Sequence, residues 1–356
     1  MLHETLPASI APSGDEASAP LLPVRHPQRE LFLCDVADAV LKDDMASMEH
    51  PFFALTTKPD RRIRRYENGN TWLEVVPSVK GLATIYDKDI LIFATSQLMA
   101  ARKMGRPISQ ELLLTARDVL VFTNRHTGGR DYELLGEALA RLQGTQVQTN
   151  IKTAGKEERH IFGLVDSASV ARDPKSGRVT ELRIKLSDWF FRAIEAQEVL
   201  TLHADYFRLR KPIDRRIYEI ARKHCGAQFE WKIGLDLLRK KCGTADTLRK
   251  FRFNLRELME SNHLPDYEVQ LNDKDMVIFT SRKAQEKIEG AAGLHRFALD
   301  PEVYHDARQV APGWDVHVLE DKWRHWMIDG GLDAPKDAGK AFVGFCRKFY
   351  ERNGSP

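Results

Sequence analysis

Fifteen lysines and arginines fall within the fifty residues from Phe207 to Arg256, against only five acids. The bases are Arg208, Arg210, Lys211, Arg215, Arg216, Arg222, Lys223, Lys232, Arg239, Lys240, Lys241, Arg249, Lys250, Arg252 and Arg256; the acids are Asp214, Glu219, Glu230, Asp236 and Asp246. The window is net +10 in a 356-residue chain whose formal charge is +3, so the remainder is net negative. Like charges at this density repel, and a fold tolerates them best when a polyanion neutralises them. Arginine's planar fork can bond a guanine edge through two nitrogens, whereas lysine mainly holds phosphate. Nucleic acid is therefore the first candidate partner, with a solvated basic surface as the plain alternative.

The elements that must position these residues are legible in the spacing. Ile213, Ile217, Ile220 and Ala221 recur at helical intervals, so Pro212 to about Cys225 is predicted as a helix, with Pro212 in its first turn and Gly226 past its end. A short strand, Gln228 to Ile233, precedes a second helix, Gly234 to Cys242, which Gly243 stops. Thr244 is expected to cap a third helix whose Leu248, Phe251, Leu255, Leu258 and Met259 form one apolar face. On it Arg249, Arg252 and Arg256 fall at i, i+3 and i+7, off the apolar stripe, with Lys250 beside them. Tyr267 to Leu271 and Met276 to Phe279 alternate as a hairpin around Asn272, Asp273 and Lys274. Helix, strand, helix, helix, strand, strand is the order of a winged helix-turn-helix, in which the third helix enters the major groove and the hairpin lies along the backbone.

Composition, 42% hydrophobic and 29% charged, implies a soluble globular chain with an ample core. No apolar run approaches the roughly 20 residues of a membrane helix. Residues 1–28, rich in Pro, Ala and Ser, are expected to be a disordered lead-in with no signal-peptide pattern. Cys34, Cys225, Cys242 and Cys346 are scattered; His224 beside Cys225, with Cys242 further on, is the nearest approach to a ligand cluster. No metal or cofactor is predicted, and a reducing, cytoplasmic setting is the simpler account.

A short helix is expected over Glu30 to Leu41, followed by Lys42 to Phe53, an acidic run from which no chemistry can be derived. Arg61 to Arg65 and Thr71 to Val76 are predicted strands joined through Asn68-Gly69. Their Arg61, Arg62, Arg64 and Arg65 make a second, smaller basic site. Asp87 to Met104, Leu112 to Phe122 and a segment around Tyr132 to Leu142 are expected helices, with Ile108 starting a short strand. Gln146 to Ile151, His160 to Ala171 and Val179 to Leu186 are strand-like, completing a first winged-helix unit. Its candidate recognition helix sets Asp131, Glu133 and Glu137 against Arg130 and Arg141, poor chemistry for phosphates, so a structural or dimerising role is favoured. The tail holds helices Pro301 to Val310, Val316 to Ile328 and Asp337 to Arg352, each mixing charge with aromatics: Tyr304; Trp323 and Trp326; Phe342, Phe345 and Phe349. These rings are either core or a module that stacks single-stranded DNA or docks a protein.

The expected architecture is thus α+β and helix-rich: a lead-in (1–28), two tandem winged helix-turn-helix domains (29–195 and 196–283), a linker (284–299) and a small C-terminal helical module (300–356). The chain lacks the phosphate-loop, serine-hydrolase, zinc-protease and kinase signatures, and no pair of histidines has the one-residue spacing of a rolling-circle nickase. Tyr218, among the arginines, reads as a packing residue. The expectation is a DNA-binding protein and not an enzyme.

Several stretches resemble the replication initiator protein A family of alphaproteobacterial plasmids. They are Lys42 to Phe53, Ala83 to Ile92, Ala138 to Thr145, Arg216 to Gly226 and Phe251 to Arg256, in the family's order, across about residues 30–283. The resemblance implies a plasmid replication initiator that binds origin repeats in double-stranded DNA, helps melt adjacent AT-rich DNA and recruits host replication proteins. It also implies tandem winged helices and a dimer able to repress its own gene, hence copy control. A transcription regulator with the same DNA-binding part is the other reading.

Overall fold

A computed structural model describes residues 19–26, 41–151, 160–285 and 299–354, apart from 176, 178, 227, 331, 333 and 334. The chain divides into two compact units, residues 1–226 with 231–279, and residues 227–230 with 280–356.

Among the described residues the elements of the first unit start with β1 (Lys42–Asp44) and α1 (Met45–Glu49), then the hairpin β2 (Arg64–Asn68) and β3 (Thr71–Val76). Asn68 pairs with Thr71, and Gly69 supplies the positive φ of 57° that this tight turn requires. There follow α2 (Lys88–Lys103), β4 (Glu111–Thr115), α3 (Ala116–Phe122) and α4 (Gly129–Gly144). Next come β5 (Gln146–Thr149), β6 (His160–Gly163), β7 (Val165–Arg172), β8 (Val179–Leu186), α5 (Asp188–Glu195) and β9 (Val199–Thr201). The basic region then forms α6 (Pro212–His224), β10 (Glu230–Gly234), α7 (Leu235–Cys242), α8 (Leu248–Ser261), β11 (Tyr267–Leu271) and β12 (Met276–Ser281).

Two three-stranded sheets share one topology. In β4-β8-β7 and in β10-β12-β11 the first strand pairs with the last, and the last with the middle one. Each sheet follows the same helix, strand, helix, helix, strand, strand sequence, the first copy being interrupted by β5 and β6. Those two strands join β2 and β3 in a four-stranded sheet, and β1 pairs with β9.

The expected helix from Leu112 to Phe122 is half strand. Leu112 pairs with Ile184 and Leu114 with Leu182, burying both, while Leu113 points outward at 59% exposure. Cross-strand burial at period two overrides the helical preference of leucine. Thr115 is the hinge between strand and helix. At α8 the cap is Thr247, whose hydroxyl accepts from the Lys250 amide; Thr244 instead accepts from the Asp246 amide and shapes the loop before it. The helix α5 was not read from the sequence; Ser187 caps it, and it buries Trp189 stacked on Phe162 at 4.6 Å.

One hydrophobic core runs from Leu41 to Phe279. The boundary expected between residues 195 and 196 lies inside it: Phe207 meets Phe122 edge to face, 5.7 Å between centroids. Part of the lead-in is also tied down. The Leu22 amide donates to Arg208, and the Arg25 amide to Asn124, at 2.8 and 2.9 Å. Cys34 and the expected helix up to residue 40 lie outside the described residues.

The second unit contains α9 (Pro301–Val310), α10 (Val316–Asp329) and α11 (Ala338–Asn353), with Asp300 and Asp337 capping α9 and α11. Trp323, Leu319, Phe342 and Cys346 form its core. No helix among the described residues is long and apolar enough to cross a membrane.

Candidate nucleic-acid interface

The apolar face of α8 decides which of its residues face out. Phe251, Leu255 and Leu258 are buried, so Arg249, Arg252, Phe253 and Arg256 share the opposite side at i, i+3, i+4 and i+7. Arg249, Lys250 and Arg256 are exposed, and Phe253 stands out at 61% exposure. Lys250 pairs with Asp246 at 3.2 Å. Arg252 reaches Asp275 at 2.5 Å, which ties α8 to the β11–β12 turn. At that turn the Asn272 side chain accepts from the amides of Lys274 and Met276, holding Lys274 exposed at the tip. Arg249 and Arg256 form no ion pair among the described residues.

The second basic site joins the first region through Gly243. This residue ends α7 in the left-handed region, φ 69°, and its carbonyl accepts from Arg64 at 3.0 Å. A Cβ there would meet Pro51 at 2.4 Å, so only glycine lets the hairpin, α1 and α7 approach this closely. The β2 strand starts at Arg64, three residues later than expected. Arg62 and Arg64 both bind Asp60 and hold its carboxyl well below the usual range. Arg65 pairs with Glu67 at 2.8 Å and lies over the Trp72 ring; Arg61 is exposed. Between this hairpin and α7 is a cavity of about 300 Å³ lined by Arg65, Trp72, Arg239, Lys240 and Lys241, among others.

Most remaining cations have partners within the chain. Arg208 pairs with Asp205 at 2.9 Å, Lys211 with Glu257 at 3.1 Å and Lys240 with Asp236 at 2.8 Å. Arg210 donates to the Ala19 carbonyl at 3.3 Å. Lys241 lies 3.5 Å from Glu49 and 3.3 Å from His224. Burial lowers the pKa of His224 and of His50 to about 4, and neighbouring Lys241 works in the same direction.

Arg215 and Arg216 are not surface residues. Both are buried, so the expectation that they touch DNA gives way to a structural role. Arg215 bonds Asp89 and the carbonyls of Leu209 and Phe207. Arg216 bonds Glu219 and the carbonyls of Ser47, Met48, Glu49 and Lys241. Glu219 also accepts from Lys88 and from the Tyr206 hydroxyl, and Lys88 lies 2.6 Å from Asp43. Burial opposes charge on Lys88 and Glu219, but their opposed partners overcome it and keep both ionised. Asp87 takes two bonds from Arg141, and Asp89 one each from Arg125 and Arg215.

The acidic run Lys42 to Phe53 therefore has a role that sequence reasoning missed. Asp43 and Asp44 are buried beside α2 and α6; Asp43 and Glu219 share Lys88, and the neighbouring Asp87 pairs with Arg141. Tyr218 is buried, donating to Asp266 at 2.8 Å and accepting from the His203 amide. Among the described residues no cluster of three His, Cys, Asp or Glu could hold a metal, and Cys225, Cys242 and Cys346 are buried free thiols.

Fold and surface together define an α+β protein in which a cationic helix face is held beside a hairpin tip. The profile of the family described as replication initiator protein A matches residues 42–269. A curated protein of Wigglesworthia glossinidia brevipalpis, described as "Putative replication protein", is 39% identical over 259 residues, which is 71% of this chain and 94% of that one. The chain belongs to the replication initiator protein A family. Two crystal structures of RctB domains 2 and 3 are similar at TM-scores of 0.45 and 0.47, with 14% and 12% identity. They cover 64% and 68% of this chain and 94% and 99% of their own.

Proposed function

We propose that this protein initiates plasmid replication by binding repeated duplex sites at an origin, without chemistry of its own. The observation that carries this reading is the outward face of α8, with Arg249, Arg252 and Arg256 beside Lys274 at the hairpin tip. We read α6 to β12 as a winged helix-turn-helix: α8 enters the major groove, and the β11–β12 tip follows the phosphates. Arg249 and Arg256, without an ion-pair partner among the described residues, are the readers of guanine edges or phosphates; Arg61, Lys240 and Lys250 add charge along the backbone. The first copy, α2 to β8, supports and spaces the second. Its α4 carries Glu133 paired with Arg172 at 2.6 Å and Arg141 turned inward to Asp87, which leaves little for phosphate. A homodimer through this copy is part of the same proposal.

Binding energy would drive opening, since bending a site costs about 1–6 kcal/mol and added contacts can offset it. Host replication proteins would then load on the opened strand. The test is replication: a plasmid without another origin, carrying the DNA that flanks this gene, should be maintained only when the protein is supplied. Binding of that DNA with no maintenance would make the protein a transcription regulator instead.

A further inference from the structure

The C-terminal unit has a groove that the duplex-facing elements do not use. It lies along one face of α11 and against α10, with a volume of about 860 Å³. Its aromatic wall is a row of three rings. Trp326 is 54% exposed, Phe345 and Phe349 are half-buried, and successive centroids are 5.9 Å apart with planes inclined by 36° and 31°. Gly344 opens the floor: a Cβ there would meet nothing within 4 Å.

The charge on this groove is one-sided. Among the described residues that line it, Lys340, Lys348 and Arg352 carry charge and none is an acid. Lys340 pairs with Asp337 at 3.2 Å; Lys348 and Arg352 form no ion pair among the described residues. Lys322 places its ammonium 5.8 Å from the Phe349 ring centroid. Yet residues 299–356 hold ten acids against eight bases, so this groove gathers three cations within a net-acidic unit. Gly344, Phe345, Lys348, Phe349 and Arg352 fall at i, i+1, i+4, i+5 and i+8, alternating ring and cation along one helical face.

We propose that this groove binds single-stranded nucleic acid, with bases against Trp326, Phe345 and Phe349 and phosphates on Lys348 and Arg352. Rings set in a groove can meet only bases whose faces are free, which a duplex does not offer. A rim that carries Lys340, Lys348 and Arg352 suits a polyanion better than an apolar helix. The inference deepens the initiator reading by giving the opened strand a place to be held, and it rests on that reading only for where the strand comes from.

The test uses the full chain and a labelled oligothymidylate, followed by anisotropy. Wild-type protein should bind it. Trp326→Ala should weaken binding about tenfold or more. Lys348→Ala with Arg352→Ala should lower the log–log salt slope by about 1.4. Gly344→Leu should block the groove while keeping or improving the helix, since leucine is the better helix former. Arg249→Ala with Arg256→Ala should abolish duplex binding yet leave oligothymidylate binding intact, which separates this site from the origin-binding one. Absence of binding by the wild type would overturn the proposal, as would binding that survives Trp326→Ala and Gly344→Leu or that vanishes with the arginine pair on α8. An acidic amphipathic peptide that binds where the oligonucleotide does not, and is lost in Gly344→Leu, would reassign the groove to a protein partner.

Discussion

The Lys88 ammonium lies 2.9 Å from the Glu219 carboxylate, and both side chains are closed off from solvent. Asp43 completes the contact at 2.6 Å, joining β1, α2 and α6. Taking charges out of water is costly, and only their mutual pairing offsets it. Lys88→Met should therefore destabilise the first unit by about 3–5 kcal/mol, because Asp43 loses its cation and Glu219 keeps only Arg216. Urea unfolding followed by circular dichroism checks this. Adding Asp43→Asn, which leaves the Arg216–Glu219 pair intact, should recover part of the loss, and no recovery would assign the effect to packing.

A second expectation concerns Gly243. Alanine there must adopt left-handed backbone, at about 1–2 kcal/mol, and its methyl would overlap Pro51. Gly243→Ala should lower the melting temperature and loosen the Arg64 contact. A variant as stable as wild type would mean that the hairpin and α7 are not held as described.

Acid should weaken the fold through His50 and His224. Both have folded pKa values lowered to about 4 by burial, whereas the unfolded imidazole titrates near 6.5. Between those values the unfolded chain binds the protons and the folded chain does not, so stability is full above about pH 6.5 and falls as pH drops toward 4. Denaturation midpoints measured across this window should decline, and His50→Gln with His224→Gln should flatten the decline.

Two arginines with similar surroundings in sequence should behave oppositely. Arg256→Ala should leave the fold intact and reduce the salt slope of duplex binding by about 1 if it holds a phosphate, or cost about 1–3 kcal/mol of discrimination if it reads a base. Arg215→Ala should instead destabilise the fold, since it removes one of the two arginines on Asp89 and the donor to two carbonyls. Melting curves beside binding isotherms separate the two.

That contrast also marks what could be read from the chain itself. The apolar spacing of α8 was enough to place Arg249, Arg252 and Arg256 outward, because a helical stripe fixes the opposite face. The stop at Gly243 and the β11–β12 hairpin were legible for similar local reasons. Charge counting could not separate Arg215 and Arg216 from their exposed neighbours: both lie on the helix face that is buried against Asp89 and against α1, and those partners are distant in sequence. The same holds for Asp43, whose cation arrives from α2. Leu112 to Leu114 misled because leucine favours helix and only pairing with β8 reveals the strand. In the tail, spacing identified the aromatic stripe, but only packing separated Trp323 and Phe342, which are core, from the exposed Trp326.

The most direct test of the central claim is equilibrium binding of the protein to duplex DNA flanking its own gene, beside random duplex, at several salt concentrations. The account predicts a specific complex with a log–log slope of about −5 to −7, as for six to eight neutralised phosphates, and its loss in Arg249→Ala with Arg256→Ala. Equal, weak binding to both duplexes, unchanged by that pair of substitutions, would contradict it.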